Sequence, residues 1–264
     1  MSNYRLTIQY DGTRYHGWQR QKNGADTIQG KIETALGRMT GNPVAIHGAG
    51  RTDAGVHARA QIANFHLTDS QINRLLSVSD FCGGHVDEAV CRAVFCTLNA
   101  YLPEDIRILK AERAGERFHS RLHAIGKEYE YHIIKKNCFN VFARRFSWQM
   151  EEELCVPAME EAASCLIGKY DFRAFCSRSS KKKSTVRELR KIDIRETESD
   201  IFLRFEGSGF LYNMVRIITG TLVEAGMGKR EPKSVREILE GGERAFAGPP
   251  APAKGLTLWE VKYM

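Results

Sequence analysis

Gly48-Ala49-Gly50-Arg51-Thr52-Asp53-Ala54-Gly55-Val56-His57 is the stretch around which the chain is organised. Val44 and Ile46 before it, and Ile62 and Phe65 after it, have the spacing of buried strand positions, so the segment reads as strand, tight loop, strand. Its glycines permit the left-handed geometries of tight turns, and with the alanines they let backbone approach a ligand closely. In extended chain, residues two apart project from one face, which places Arg51 beside Asp53. An arginine next to a carboxylate holds it ionised, and an ionised carboxylate can act as nucleophile or base. A structural ion pair in a turn has the same Arg-x-Asp pattern, and these residues alone leave both roles open.

Composition narrows the field. At 264 residues the chain fits one large domain or two small ones, and 42% hydrophobic residues suffice for an ordinary core. No apolar run reaches the length of a membrane span. The amino terminus alternates Tyr4, Leu6 and Ile8, as a strand does and a secretion signal does not. Seven scattered cysteines outline no disulfide framework and point to a reduced, cytoplasmic setting. A net charge of +7 suggests an anionic partner.

Along the chain, residues 4–11 predict a half-buried strand ended at Asp11-Gly12. Thr13–Lys22 interleaves Tyr15 and Trp18 with Arg14, His16 and Arg20. That mixture suits stacking on bases and contacting phosphates, and equally a surface loop whose Trp18 packs on the core. Asp26 or Thr27 caps a helix with Ile28, Ile32, Leu36 and Met39 on one face. Short helices are expected from Asp69 or Ser70 and over Asp87–Asn99, the second with Val90, Val94 and Leu98 in one stripe. Strands are expected over Ile106–Glu112 and Gly126–Lys136, with Tyr129, Tyr131 and Ile133 on one face of the latter. A helix is expected within Glu151–Ile167, starting at Pro157 if that proline lies in its first turn. Lys191–Ile194 and Ile201–Phe205 predict a hairpin, Met214–Val223 a largely buried helix, and Leu256–Tyr263 a closing strand. Arg216 stands out in that buried helix, because an arginine there needs an anionic partner. Arg178–Arg187, with five cations and no acid, reads as a basic tongue suited to phosphate contacts. The strands and helices follow no regular βαβ rhythm, which argues α+β with antiparallel pairing.

The central decapeptide closely resembles the signature loop of the tRNA pseudouridine synthase A family. The resemblance continues through Tyr10-Asp-Gly-Thr-Arg-Tyr-His-Gly-Trp-Gln19, Leu102-Pro-Glu-Asp-Ile106, Arg117-Phe-His-Ser-Arg121, Lys127-Glu-Tyr-Glu-Tyr131, Asp171-Phe172, Asn213-Met-Val-Arg-Ile217 and Gly255-Leu256, in the family's order. It implies two similar halves with mostly antiparallel sheets joined across a central cleft, helices on the outer face, and a homodimer that shares one tRNA between subunits. With the residue pattern, this divides the chain into 1–105, carrying the catalytic loop, and 106–264, completing the RNA-binding cleft. The resemblance further implies isomerisation of uridine to pseudouridine at tRNA positions 38, 39 and 40 in the anticodon arm, without cofactor or metal. The catalytic aspartate maps onto Asp53, and Tyr129 is expected against the target base, where it can take part in proton transfer. Arg51 and Arg216 are the candidates to hold Asp53 ionised, and Leu256 is expected near the base. The target must leave its stack to reach such a pocket. The stretch from Ser77 to Phe95 is longer than the family usually carries.

Two rival readings belong to other classes. A tRNA binder without catalysis would share the basic loops, but a carboxylate inside an anion-binding pocket opposes phosphate, so Asp53 discriminates against it. A zinc-dependent base-modifying enzyme could be built on Cys82, His85, Cys91 and Cys96. Their spacings fit no zinc template. Cys91 and Cys96, five apart, lie roughly 140° apart around a helix, and a free cysteine often serves as a small core residue. No metal is expected there.

Overall fold

Alternation builds the first strand, β1 (Ser2–Tyr10), whose Tyr4, Leu6, Ile8 and Tyr10 are buried. The computed structural model describes residues 1–22, 24–77, 85–177 and 184–264. After β1 come α1 (Ile28–Thr40), β2 (Ile46–Gly48), β3 (His57–Leu67), α2 (Asp69–Ser77), α3 (Val86–Tyr101) and β4 (Ile106–Arg113). These are followed by β5 (Gly126–Ile134), β6 (Trp148–Gln149), α4 (Val156–Ser164), β7 (Gly168–Asp171), β8 (Val186–Glu196), β9 (Asp200–Gly207), α5 (Met214–Gly226), α6 (Ser234–Gly241) and β10 (Leu256–Lys262). The fold is α+β with mostly antiparallel pairing.

The chain forms two units. The first is Met1–Ala124 with Leu258–Met264, and the second is Ile125–Thr257. β4 pairs with β1 and is counted with the first unit, whereas the sequence reading draws its boundary just before that strand.

In the first unit the strands run in the order β4-β1-β3, with β2 on β3 and β10 next to β3. Tyr4 faces Phe65 and Leu6 faces Ala63 in antiparallel register. Ile28, Ile32 and Leu36 of α1, with Val90, Val94 and Leu98 of α3, complete an apolar core. Thr27 caps α1 by accepting from Gly30 N at 3.2 Å, one of the two caps expected. A buried polar cluster pins the segment after β4. Asn3 Nδ2 donates to the carbonyls of Gly115 and Phe118, Asn64 Nδ2 donates to Asn3 Oδ1, and Ser120 N donates to Asn64 Oδ1. Tyr263 Oη donates to the Ser120 carbonyl at 2.6 Å.

In the second unit the order is β5-β9-β8-β7, all antiparallel, with β6 parallel to the end of β5. Tyr129, Tyr131 and Ile133 lie opposite Phe205, Leu203 and Ile201, and all six are buried. On the other face Arg204 bridges Glu128 and Glu130 at 3.2 and 2.6 Å. α4 begins at Val156, so the acidic run Glu151–Glu153 lies outside it and Pro157 falls in its first turn, where a missing N–H costs nothing. Gly168, expected to stop the helix, opens β7 instead. Among the described residues no helix is long and apolar enough to cross a membrane. The basic tongue falls mainly on 178–183, outside the described residues, as does Cys82.

Candidate active site

The loop carrying Asp53 is held from three sides. Upstream, α1 buries Gln29 and Glu33 to fix the strand that enters it: Glu33 Oε1 accepts from Ile46 N at 3.1 Å, and Gln29 Nε2 donates to the Ile46 carbonyl at 3.2 Å. Ala49 N then donates to the Ile62 carbonyl at 2.7 Å, and Gln61 Nε2 donates to the Gly50 carbonyl at 2.9 Å. Downstream, Val56 N donates to the Asp53 carbonyl at 3.2 Å and closes the turn.

The third side is the amino-terminal segment. Trp18 N donates to the Thr52 carbonyl at 3.1 Å, Gly55 N to the Tyr15 carbonyl at 3.4 Å, and Gly12 N to His57 Nδ1 at 3.1 Å. Thr52 is buried, and its hydroxyl shares a 2.8 Å hydrogen bond with Tyr10 Oη. Burial pushes the Tyr10 hydroxyl well above its usual range, so it stays protonated. Trp18 is 2% exposed and Tyr15 is 5% exposed, its hydroxyl donating to Asp105 at 2.5 Å. The aromatics of Thr13–Lys22 are therefore buttresses for the loop, and of the two roles open to them the structure selects packing. Gly17 sits at φ +87°, and a Cβ there would lie 2.6 Å from the Thr52 carbonyl oxygen. Only glycine fits that close crossing without strain.

Asp53 is half-buried at the end of this frame, and Arg51 is exposed. The Arg51 guanidinium does not pair with Asp53: its Nε donates to Gln19 Oε1 at 3.1 Å. The expected juxtaposition fails because residues 51–53 leave the strand and turn, so the two-residue period of extended chain does not apply.

Tyr129, Arg216 and Leu256 belong to the second unit. Tyr129 lies in the middle of β5, 7% exposed, its ring edge-on to Phe210 with centroids 5.1 Å apart. Arg216 is in the first turn of α5 and only half-buried. Its Nε donates to the Ala251 carbonyl at 2.7 Å and its Nη1 to Asn213 Oδ1 at 3.1 Å, while Ala251 N returns a bond to the Arg216 carbonyl at 2.9 Å. The arginine thus clamps the loop leading to Leu256. Tyr131 Oη grips the same loop by donating to the Pro252 carbonyl at 2.8 Å, and burial holds that hydroxyl protonated. Leu256 emerges from this loop as the first residue of β10, 5% exposed.

Sequence reading missed Gln29, Glu33, Tyr131, Asn213 and the Ala251 carbonyl. One of them left a signal: an asparagine just before an apolar helix tolerates the left-handed backbone, and Asn213 has φ 60°.

Among the described residues no group of three or more His, Cys, Asp or Glu side chains is arranged to hold a metal ion. Cys91 lies beside the buried stripe of α3, its thiol pushed up to about 11 chiefly by burial, and Cys96 is exposed on the same helix.

The chain matches the family model described as tRNA pseudouridine synthase over residues 6–122 and 162–264. It is 43% identical over 263 residues to the tRNA pseudouridine synthase A of Bacillus sp. (strain KSM-64), the whole of both chains being covered. It is 41% identical over 262 residues to the tRNA pseudouridine synthase A 2 of Clostridium tetani, covering 99% of this chain and 98% of that one. The tRNA pseudouridine synthase A of Brevibacillus brevis is likewise 41% identical over 263 residues.

Proposed function

The chain belongs to the tRNA pseudouridine synthase family, and we propose that it isomerises uridines 38, 39 and 40 of the tRNA anticodon arm, with Asp53 as its catalytic residue. The observation that carries this reading is the frame around Asp53. Backbone hydrogen bonds from Trp18, Ala49, Gly55 and Val56 fix the loop on which the half-buried carboxylate stands. A carboxylate fixed before substrate arrives is what covalent or electrostatic catalysis at a flipped nucleotide requires.

In the reaction the N1–C1′ glycosidic bond of uridine breaks, the uracil turns, and a C5–C1′ bond forms. C5 gives up its proton and N1 gains one, so the product is an isomer and no cofactor is consumed. Asp53 attacks or stabilises the sugar or the ring while the base is detached. Tyr129 lies against the uracil and serves the proton transfer from C5. Tyr131 takes no such part, because its hydroxyl is committed to Pro252. Arg216 holds the loop that presents Leu256 to the base. Arg51, exposed and joined to the neutral Gln19 amide, keeps most of its donors for RNA phosphate. The enzyme works in the cytoplasm as a homodimer, without metal.

The test is Asp53→Asn. Turnover, followed as tritium release from C5 of labelled tRNA in the presence of EDTA, is abolished, while tRNA affinity stays within about tenfold. A variant that turns over near the wild-type rate removes Asp53 from the mechanism. Wild-type protein that binds tRNA but forms no pseudouridine supports the pure binder instead.

A further inference from the structure

Between β5 and β6 the second unit carries a loop ordered by its own hydrogen bonds. Asn140 Oδ1 accepts from the backbone N–H groups of Phe142 and Ala143 at 2.9 and 3.3 Å. Arg144 Nη1 donates to the Val141 carbonyl, Ser147 Oγ to that of Ala143, and Gln149 Nε2 to that of Asn140, each at 2.8 Å. Yet this loop turns apolar side chains to water: Phe139 is 56% exposed, Val141 69% and Phe142 92%. Polar bonds hold the backbone while the large side chains find no core. A ridge of clustered, exposed apolar groups on an ordered backbone marks an interaction surface.

We propose that this ridge is where a second copy of the chain docks; the assignment rests on the homodimer reading above and gives it a surface. Charge selects the occupant. Arg144 and Arg145 stand beside the ridge, exposed, and Glu151 and Glu152 stand exposed just past β6. Gln149, bonded to Asn140, ties those acids to the base of the loop. None of the ion pairs among the described residues involves Arg145, Glu151 or Glu152. A two-fold axis through the ridge brings the cations of each copy towards the carboxylates of the other, a self-complementary contact with an apolar centre and a charged rim. A polyanion such as RNA would instead meet Glu151 and Glu152.

Sedimentation velocity over a dilution series of the full chain tests this, with tRNA affinity measured alongside. The wild type sediments as a dimer. Phe142→Asp raises the dimer dissociation constant by on the order of a hundredfold or more, as loss of a central anchor does, with an unchanged melting temperature because the side chain contacts water. The double reversals R144E/R145E and E151R/E152R each weaken the dimer, and the fourfold variant regains affinity to within about tenfold of wild type, the signature of a coupled pair of sites. A wild-type dimer that Phe142→Asp leaves equally tight overturns this surface and leaves the homodimer standing. A wild type that is monomeric at every concentration overturns the homodimer reading itself. An intact Phe142→Asp dimer with lost tRNA affinity makes the ridge an RNA surface and refutes the assignment.

Discussion

Gly17→Ala tests whether the amino-terminal segment sets the position of the Asp53 loop. Alanine at φ +87° meets a left-handed penalty of roughly 1–2 kcal/mol. Its Cβ would also lie 2.6 Å from the Thr52 carbonyl oxygen, closer than such contacts exist, and the crowded atom is backbone that cannot swing aside. Relieving an overpacked contact of this kind costs about 1–3 kcal/mol. The sum is roughly 2–5 kcal/mol, and at about 2–4 °C per kcal/mol the melting temperature falls by on the order of 10 °C. Relief separates Trp18 N from the Thr52 carbonyl and moves the residue adjoining Asp53. A displacement near 1 Å at a catalytic group slows chemistry by about a hundredfold. Gly24→Ala is the control: its φ is +73° but a Cβ there meets nothing within 4 Å, so it carries the conformational cost alone. Thermal melting by circular dichroism and single-turnover tritium release measure both effects. A Gly17→Ala protein that melts with the Gly24→Ala control and turns over within threefold of wild type would refute the buttress argument.

Tyr129→Phe keeps the ring that packs on Phe210, so tRNA binding survives while the rate falls by on the order of a hundredfold, the yield of a positioned acid–base group; a near-normal single-turnover rate makes Tyr129 a platform only. Alanine at Lys181, Lys182 and Lys183 together weakens tRNA binding and flattens the slope of log affinity against log salt, with the saturated rate little changed. An unaltered slope shows that these lysines meet no phosphate. Serine at both Cys82 and Cys96 leaves folding and activity intact, and metal analysis of wild-type protein finds no stoichiometric zinc; one equivalent of zinc, lost in the double variant along with stability, contradicts this. Asp171 accepts from the Arg173 guanidinium and from Thr185 Oγ1, which hold its carboxyl below the usual carboxylate range. Its contribution is therefore full above the ordinary carboxylate pKa and is lost as pH falls through the lowered one. Between pH 5 and 2 the wild type should lose stability more steeply than Asp171→Asn; parallel melting curves across that range would show that the pair contributes nothing.

Local pattern was legible and long-range pairing was not. β1 and α1 follow from apolar spacing because periods of two and of three to four are properties of a single segment. α3 likewise extends the predicted Asp87–Asn99 by little at each end. Arg51 was misplaced because the period of a strand was carried past the point where the chain turns. The roles of Tyr15 and Trp18 could not be read because aromatics among cations look alike whether they face RNA or a core; only their contacts with Thr52 and Asp105 decide. The cluster of Asn3, Asn64 and Ser120 left no trace, since polar residues so far apart in sequence have no reason to be linked until the sheet brings them together. Candidate site residues were named by motif, and no periodicity would have singled out Asp53 or Tyr129.

The first unit is interrupted: the chain leaves it after Ala124 and returns at Leu258. On the ribosome, residues 125–257 must all be made before β10 can join β3, roughly 7–25 s at about 5–20 residues per second. Throughout that interval β3 exposes an open edge, and the Ser120 carbonyl waits for the Tyr263 hydroxyl. An unpaired strand edge is a template for association with other chains. The unit that carries Asp53 is begun first and finished after the second unit has been synthesised, so its window of exposure to aggregation and to chaperones is set by the length of the second unit.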